Sequence, residues 1–227
     1  MPIHVHPTAE LAPRALLPGD PGRALALAQV LLDEPRMFNH NRGLWGYTGP
    51  AKADGRPLTI QSTGMGGPSA AIVAHELIEL GLEVAIRVGT CGALVPELAL
   101  GDLVVACDAL AEDGASRGLG ADGRAAADPS LTDALAAAAG VRTETVVSHD
   151  LFYDPADRIA AWTGQGAVAV EMEAATLFAA CAGRGVRAGC LLAVSDTLLG
   201  GRDRLDHEGL VAAGERLGVV AVEALSA

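Results

Sequence analysis

The segment 58–95 constrains the fold more than any other part of the chain, because it predicts a strand, a loop, a helix and a second strand in direct succession. Leu58 and Ile60 alternate with polar residues, which is typical of a half-buried strand, and three glycines and a proline within 64–68 end that strand. Apolar residues at roughly helical spacing then predict a helix that closes near Gly81.

The second strand of this unit has a cation near its end. The run 84–88 is apolar except for Arg87, which predicts a buried strand. The small residues 89–92 follow, and we expect them to form a turn. Open α/β sheets bind their ligands at the carboxyl ends of such strands. The sequence therefore predicts a ligand site around the loops 64–67 and 89–92.

Length and composition are typical of a single α/β domain covering residues 1–227. Half of the residues (50%) are hydrophobic and the mean hydropathy is +0.32, which is enough for a buried core. No window approaches the roughly 18 uninterrupted apolar residues of a membrane span. The N-terminus also lacks a basic region followed by an apolar one. We therefore expect a cytoplasmic protein that does not bind membranes.

The formal net charge of −12 argues against general nucleic-acid binding, which needs a basic surface. A small anionic ligand is still possible if arginines are concentrated locally. Lysine and arginine together number 16 and only Lys52 is a lysine, so the position of each arginine is informative. The 4 cysteines lack CxxC spacing and lie among apolar residues, which favours reduced, buried thiols over disulfides or zinc ligands.

Two arginines follow glycine-containing or polar turns. A short strand over 14–17 leads into a loop where Asp20 can cap a helix. The N–H of Gly19 and the guanidinium of Arg23 can then face one anion at the positive end of that helix. A tight turn with a solvated arginine is the alternative interpretation. Arg42 lies in a second loop, which we expect to enter a strand of a hairpin.

Periodicity predicts several later elements. We expect strands over 101–107 and 143–147, with a helix over 129–139 between them. The segment 111–128 is rich in Gly, Ala, Asp and Arg with little periodicity, which predicts an excursion or a mobile loop. A closing helix is expected over 206–224.

Aromatic and acidic side chains mark the ends of further strands. Aromatics are 3% of the chain, so Phe152 and Tyr153 stand out in the turn 148–155. They can line a pocket for a planar ring or pack in the core. Glu171 and Glu173 lie where a strand passes into a helix. They are either a functional pair or ordinary partners of the helix dipole. Asp196 follows an apolar strand and is either a helix cap or a catalytic acid.

The order of these motifs resembles the trimeric and hexameric nucleoside phosphorylases, which include purine nucleoside phosphorylase, uridine phosphorylase and methylthioadenosine phosphorylase. The resemblance extends from Pro2 to the C-terminal helix. It is carried by LPGDPGR (17–23), NRGLWGYTG (41–49), GMGGPS (64–69), RVGTCGA (87–93), LFY (151–153), VEMEAA (170–175) and VSD (194–196). It implies that family's α/β fold, a three-layer αβα domain around a central mixed, partly barrel-like sheet.

The resemblance also implies three groups of site residues. The phosphate-binding group is Gly19, Arg23, Arg87 and Thr90, with Arg42 from a neighbouring subunit. The ribose-binding group is Met65, Met172 and Glu173, with His4 from the adjacent subunit. The base-binding group is Cys91, Gly92, Phe152, Tyr153, Val170, Glu171, Ser195 and Asp196.

The implied reaction is phosphorolysis, in which phosphate attacks C1′ of the nucleoside and Asp196 protonates purine N7 as general acid. Phosphate is a cosubstrate, so no cofactor and no metal are expected. The shared sites imply a homodimer, assembled further as a hexamer of three dimers. The bacterial hexameric enzymes place an arginine beyond the catalytic aspartate, where it assists protonation of that aspartate. This chain departs from the pattern, because Arg202 and Arg204 lie closer in sequence to Asp196 than the family arginine would. Whether either assists Asp196 stays open.

Three alternatives remain at the level of the sequence. The motif VSD over 194–196 favours a purine nucleoside, yet uridine or methylthioadenosine could be the substrate of the same reaction. A nucleosidase would use water and would not need the set of Arg23, Arg42 and Arg87. A non-catalytic nucleoside-binding protein could keep the architecture, although the presence of both Glu173 and Asp196 argues against it.

Overall fold

Within residues 2–153 and 156–226, which the computed structural model describes, strands and helices alternate along the chain. The strands are β1 (Arg14–Leu17), β2 (Arg36–Asn39), β3 (Gly46–Pro50), β4 (Pro57–Gln61), β5 (Val84–Ala93), β6 (Leu103–Glu112), β7 (Arg124–Ala126), β8 (Thr143–His149), β9 (Ala167–Glu171) and β10 (Arg187–Thr197). The α-helices are α1 (Pro21–Leu31), α2 (Gly67–Glu79), α3 (Gly114–Gly118), α4 (Pro129–Ala139), α5 (Ile159–Thr163), α6 (Ala174–Cys181) and α7 (His207–Ser226). None of the helices described is long and apolar enough to cross a membrane.

Five strands close into a barrel, four more extend the same sheet, and the tenth strand, β7, pairs with β6. β5 pairs with β10, which pairs with β6, and β6 continues through β8 and β9 back to β5. β1 pairs with β5, and the sheet continues from β1 through β4 and β3 to β2 at its edge. Parallel and antiparallel pairs both occur in the ring. The expected mixed, partly barrel-like α/β fold is therefore confirmed.

The long strand β5 belongs to both parts of the sheet. β1 pairs with its first half, residues 84–87, whereas β9 pairs only with Gly92 and Ala93. The prediction of a turn over 89–92 is therefore wrong, because the strand continues through these residues. A Cβ at position 92 would lie 3.1 Å from Leu198 Cδ1 and 3.4 Å from Val170 Cγ1, so a larger residue there would crowd these side chains.

Helices cover the sheet on two sides and complete the three layers. Helices α1, α4 and α7 pack together on one side, and α2, α3 and α6 pack on the other. Each layer of helices buries its own apolar cluster against the strands. A third, smaller cluster surrounds Trp162 of α5 beside the barrel.

Local signals predicted several of these elements well. The helix expected over 129–139 coincides with α4, which Asp128 caps and left-handed Gly140 ends. The strand expected over 143–147 continues to His149. The segment 111–128, expected as an excursion or a mobile loop, instead contains α3 and β7, both too short to show periodicity. In the predicted turn 148–155, Asp154 and Pro155 lie outside the described residues.

Gly218 of α7 makes a close contact with α1. A Cβ at this position would lie 2.4 Å from Leu27 Cδ2 and 2.9 Å from Leu31 Cδ1, and all three residues are buried. We expect Gly218→Ala to lower the free energy of unfolding by about 1–3 kcal/mol, because the added methyl group overpacks the contact. Urea unfolding followed by circular dichroism measures this.

The matched control is Gly214→Ala on the same helix, where the nearest heavy atom to the new Cβ would be 3.4 Å away. We expect its free energy of unfolding to stay the same or to rise by about 0.5–1 kcal/mol, since alanine is the better helix former. Equal unfolding curves for the two variants would contradict the close packing of α7 on α1.

Candidate active site

A cavity of about 410 Å³ opens beside the carboxyl-terminal half of β5. Its walls come from residues that follow β1, β4, β8, β9 and β10, in agreement with a ligand site at the carboxyl ends of strands. The predicted site residues that line it are Gly19, Arg23, Met65, Arg87, Thr90, Cys91, Gly92, Phe152, Val170, Glu171, Met172, Glu173, Ser195 and Asp196. Gly89, from the predicted loop 89–92, and Arg202, the possible helper of Asp196, line it as well, whereas His149, Leu151 and Leu198 do so without an earlier prediction of a site role.

Arg87 is the buried cation of this cavity, with 5% of its surface exposed. Its Nε lies 2.8 Å from Glu171 Oε2, and its Nη2 lies 2.5 Å from Glu173 Oε2. Burial alone lowers the pKa of the guanidinium, but the two carboxylates more than offset this and raise the pKa above its ordinary value. Arg87 therefore stays charged inside the protein.

The two glutamates are held differently. Glu171 accepts hydrogen bonds from the Ser148 hydroxyl and from the N–H groups of Glu173 and Ala174, so its carboxylate also fixes the start of α6. Glu173 accepts from the Gly66 N–H at 2.5 Å. Burial, partly offset by Arg87, raises the pKa of Glu173. Both side chains are thus committed to charged or polar partners inside the cavity wall.

A second cation enters the cavity from the start of α1. Asp20 caps that helix by accepting from the Arg23 N–H at 2.6 Å, as the sequence predicted. Burial lowers the pKa of the Arg23 guanidinium, and the positive charge of Arg87 lowers it further, while Asp20 opposes both effects. Two neighbouring positive charges beside a helix N-terminus favour the binding of an anion.

Asp196 lies within β10 and not at the start of a helix, so the interpretation as a helix cap is wrong. The pairing of β10 with β5 shifts by one residue between Val194 and Asp196. Asp196 Oδ1 lies 3.0 Å from Arg202 Nε and 2.8 Å from Arg204 Nε, and Oδ2 accepts from the Ser195 hydroxyl at 2.8 Å. Both arginines of the short loop therefore contact the buried carboxylate.

Phe152 and Tyr153 have different environments. Phe152 lines the cavity, and the Arg202 guanidinium carbon lies 4.3 Å from the centre of its ring. Tyr153 packs edge-on against Phe152, but 90% of its surface is exposed and it does not line the cavity. The buried His149 lies on the cavity wall beside Trp162. It belongs to none of the family motifs, so the sequence did not indicate its position in the site.

His4 and Arg42 lie outside the lining of this cavity, as far as the described residues extend. Arg42 is exposed in a 3-10 turn (Asn41–Gly43), and its φ of 57° is unusual for a residue other than glycine. Asn41 Nδ2 donates to the His4 carbonyl at 2.9 Å, so the two segments are joined.

The cysteines and acidic groups offer little other chemistry. All 4 cysteines are free, and burial raises the pKa of the Cys91 and Cys190 thiols well above the ordinary value. A neutral thiol is a poor nucleophile. Among the described residues, no group of three or more His, Cys, Asp or Glu side chains could hold a metal ion.

Gly89 provides the space that the Arg87 guanidinium occupies. A Cβ on Gly89 would lie 2.8 Å from Arg87 Cζ and 2.9 Å from each Nη atom. The resemblance implies that Arg87 binds phosphate, so we expect Gly89→Ala, which would displace this guanidinium, to weaken binding of inorganic phosphate about tenfold. Isothermal titration calorimetry measures the affinity.

The control is Gly118→Ala, since a Cβ there would meet nothing within 4 Å. Its phosphate affinity should equal that of the unmodified protein. If Gly89→Ala also binds phosphate with unchanged affinity, Arg87 does not take part in phosphate binding in the position described.

Comparisons with known proteins agree with these features. Residues 13–226 match the family model described as the Phosphorylase superfamily. A purine nucleoside phosphorylase of DeoD type from Geobacillus kaustophilus is 36% identical over 217 residues, covering 92% of this chain and 91% of the relative. A guanosine phosphorylase from Halorubrum lacusprofundi is 39% identical over 197 residues, covering 84% and 80%. The crystal structure of purine nucleoside phosphorylase from Toxoplasma gondii in complex with immucillin-H superposes with a TM-score of 0.87 at 26% identity, covering 99% of this chain and 95% of that one.

Proposed function

The chain belongs to the Phosphorylase superfamily, and on that premise we propose that it cleaves purine nucleosides by phosphorolysis to the free base and (deoxy)ribose 1-phosphate. The observation that carries the proposal is the presence of Arg23, Arg87, Glu173 and Asp196 on the wall of one cavity. The names of relatives at 36–39% identity support purine nucleosides as the substrate class.

Phosphate would bind between Arg23 and Arg87, with the Gly19 N–H and the Thr90 hydroxyl as further donors. A phosphate ion carries about −1.5 to −2 charges near neutral pH, and forked guanidinium groups bind it in two-pronged fashion. The mutual repulsion of the two arginines supports this assignment, because an anion between them removes it.

The ribose would lie against Met65 and Met172, with its 2′- and 3′-hydroxyls donating to Glu173. A carboxylate with two oxygens matches a pair of adjacent hydroxyls. Glu173 is already fixed by the Gly66 N–H and by Arg87, so it reaches the sugar without reordering. Its contact with Arg87 also brings the ribose site and the phosphate site together.

In the proposed reaction a phosphate oxygen forms a bond to C1′ as the bond from C1′ to the base nitrogen breaks. The electron pair of the broken bond enters the purine, and the carboxyl proton of Asp196 passes to N7. Positive charge that develops on the ribose is stabilised by the adjacent phosphate. Arg202 and Arg204 lie against Asp196 Oδ1 and would contact the carboxylate once its proton has passed to N7.

Two residues of the proposed site would come from a second copy of the chain. His4 would contact the ribose 5′-hydroxyl and Arg42 the phosphate of a partner subunit, which agrees with their position outside the cavity of their own chain among the described residues. The proposed assembly is a homodimer, with three dimers in a hexamer. Phosphate is the only cosubstrate, and no other cofactor is proposed.

The requirement for phosphate tests the reaction type. We expect inosine or guanosine to be cleaved only when phosphate is present, with release of ribose 1-phosphate, because the two arginines position phosphate and not water. Chromatography of bases and sugars, with and without phosphate, measures this. Equal cleavage without phosphate would identify a nucleosidase, and binding without cleavage would identify a nucleoside-binding protein.

Asp196→Asn tests the general acid. We expect kcat/KM for inosine to fall by about 10²–10⁴ while the phosphate affinity stays unchanged, because the variant cannot protonate N7. Asp203→Asn is the control in the same loop, since its side chain is exposed and it contributes its backbone carbonyl to Thr197. Loss of phosphate affinity in Asp196→Asn with retained turnover would reject the assignment.

A further inference from the structure

The N-terminal arm, residues 2–6, is held to α2 by one buried carboxylate. Glu76 has only 6% of its surface exposed, and the N–H groups of three successive residues point at it. Ile3 N lies 2.9 Å from Oε1, His4 N lies 3.0 Å from both oxygens, and Val5 N lies 2.6 Å from Oε2. Successive backbone N–H groups around an anion form a strong, directional contact.

This contact keeps Glu76 ionised. Burial raises its pKa, but the hydrogen bonds from Val5, Ile3 and His4 outweigh burial, and the net pKa is lowered. The carboxylate thus fixes the backbone on both sides of His4.

The same arm is tied to the loop that carries Arg42. Asn41 donates to the His4 carbonyl at 2.9 Å, and Asn39 accepts from the N–H groups of His6 and Asn41 at 2.9 and 3.2 Å. His4 and Arg42 therefore belong to one hydrogen-bonded unit that Glu76 anchors to the body of the protein.

Apolar side chains around this unit are left exposed. Ile3 of the arm is 72% exposed, and Met37 and Trp45, on either side of the Arg42 loop, are 40% and 38% exposed. These side chains belong to the arm and to the residues next to the Arg42 loop, where a second copy of the chain would cover them. A second copy of the chain is the occupant that the proposed sharing of His4 and Arg42 requires.

We propose that Glu76 is a positioning residue for the reaction of the partner subunit, because it holds His4 in the geometry in which the neighbouring site receives it. The inference rests on the proposed function. Glu76 is not a catalytic residue, since its contacts are to backbone N–H groups of its own chain. None of the family motifs quoted above includes it.

An alternative explanation is that Glu76 acts only by stabilising α2 of its own chain. The first residues of α2 follow Gly66, whose N–H binds Glu173 of the same chain. A substitution at Glu76 could therefore disturb the chain's own site through α2. The experiment must show in which subunit the defect appears.

The first measurement is the preference for the 5′-hydroxyl, given by the ratio of kcat/KM for inosine to that for 5′-deoxyinosine. We expect Glu76→Gln to lower this ratio about tenfold, His4→Ala to lower it equally, and the double variant to lower it no further. A general structural defect would reduce both substrates alike. Glu79→Gln, an exposed glutamate on the same helix, should leave the ratio unchanged.

The second measurement uses hybrid dimers, purified with two affinity tags, that pair a Glu76→Gln chain with an Asp196→Asn chain. One of the two sites then combines an intact Asp196 with an arm held by an intact Glu76. We expect that dimer to recover the wild-type 5′-hydroxyl preference with about half the wild-type turnover. A ratio that stays low would place the defect in the chain's own site and overturn the proposal.

A milder variant keeps the test decisive if Glu76→Gln does not fold. Asn41→Ala removes one hydrogen bond to His4 and should shift the ratio in the same direction and recover in the same hybrid. If the wild-type enzyme is active but the ratio of kcat/KM for inosine to that for 5′-deoxyinosine is unchanged in these variants, the role of Glu76 is overturned and the proposed function stands. A wild-type enzyme without phosphate-dependent cleavage overturns the proposed function as well.

Discussion

The ion pairs of Arg87 are the interaction on which the rest of the site depends. A guanidinium with 5% exposure on a central strand is stable only if carboxylates reach it. Glu171 and Glu173 do so from the junction of β9 and α6. Through Gly66, Glu173 also fixes the loop before α2. One buried charge therefore holds together three chain segments that are far apart in sequence.

Much of the fold could be predicted from the sequence because its signals are local. Helix α4 begins with an aspartate cap and a proline and ends at left-handed Gly140, and its predicted bounds are those observed. The continuation of β5 through 89–92 could not be predicted, since it depends on pairing with β9 and β10, roughly 80 to 100 residues later in the chain. Glycines in this stretch make room for neighbouring side chains and not for a turn.

The candidate site could be predicted in part, and the order of the motifs contributed more than any single residue. Gly19 and Arg23 follow β1, and Glu173 follows β9. They come together because both strands belong to one sheet and end at the same cavity. The pairing of Arg202 and Arg204 with Asp196 depends on a short loop whose backbone bonds back onto β10, which no spacing rule describes. Tyr153 was expected beside Phe152 in the pocket, but adjacent residues in a turn face different surroundings.

The pairing of Arg87 with Glu173 has a consequence for the anions that can bind in the cavity. An incoming ion must compete with carboxylates that already hold the guanidinium at 2.5 and 2.8 Å. A weakly charged, spherical ion such as chloride offers less attraction and fewer acceptor atoms than these carboxylates do. A tetrahedral ion with several oxygens and close to two charges can engage Arg87 and Arg23 together. An anion that binds here must therefore contact both arginines to compete with the internal carboxylates.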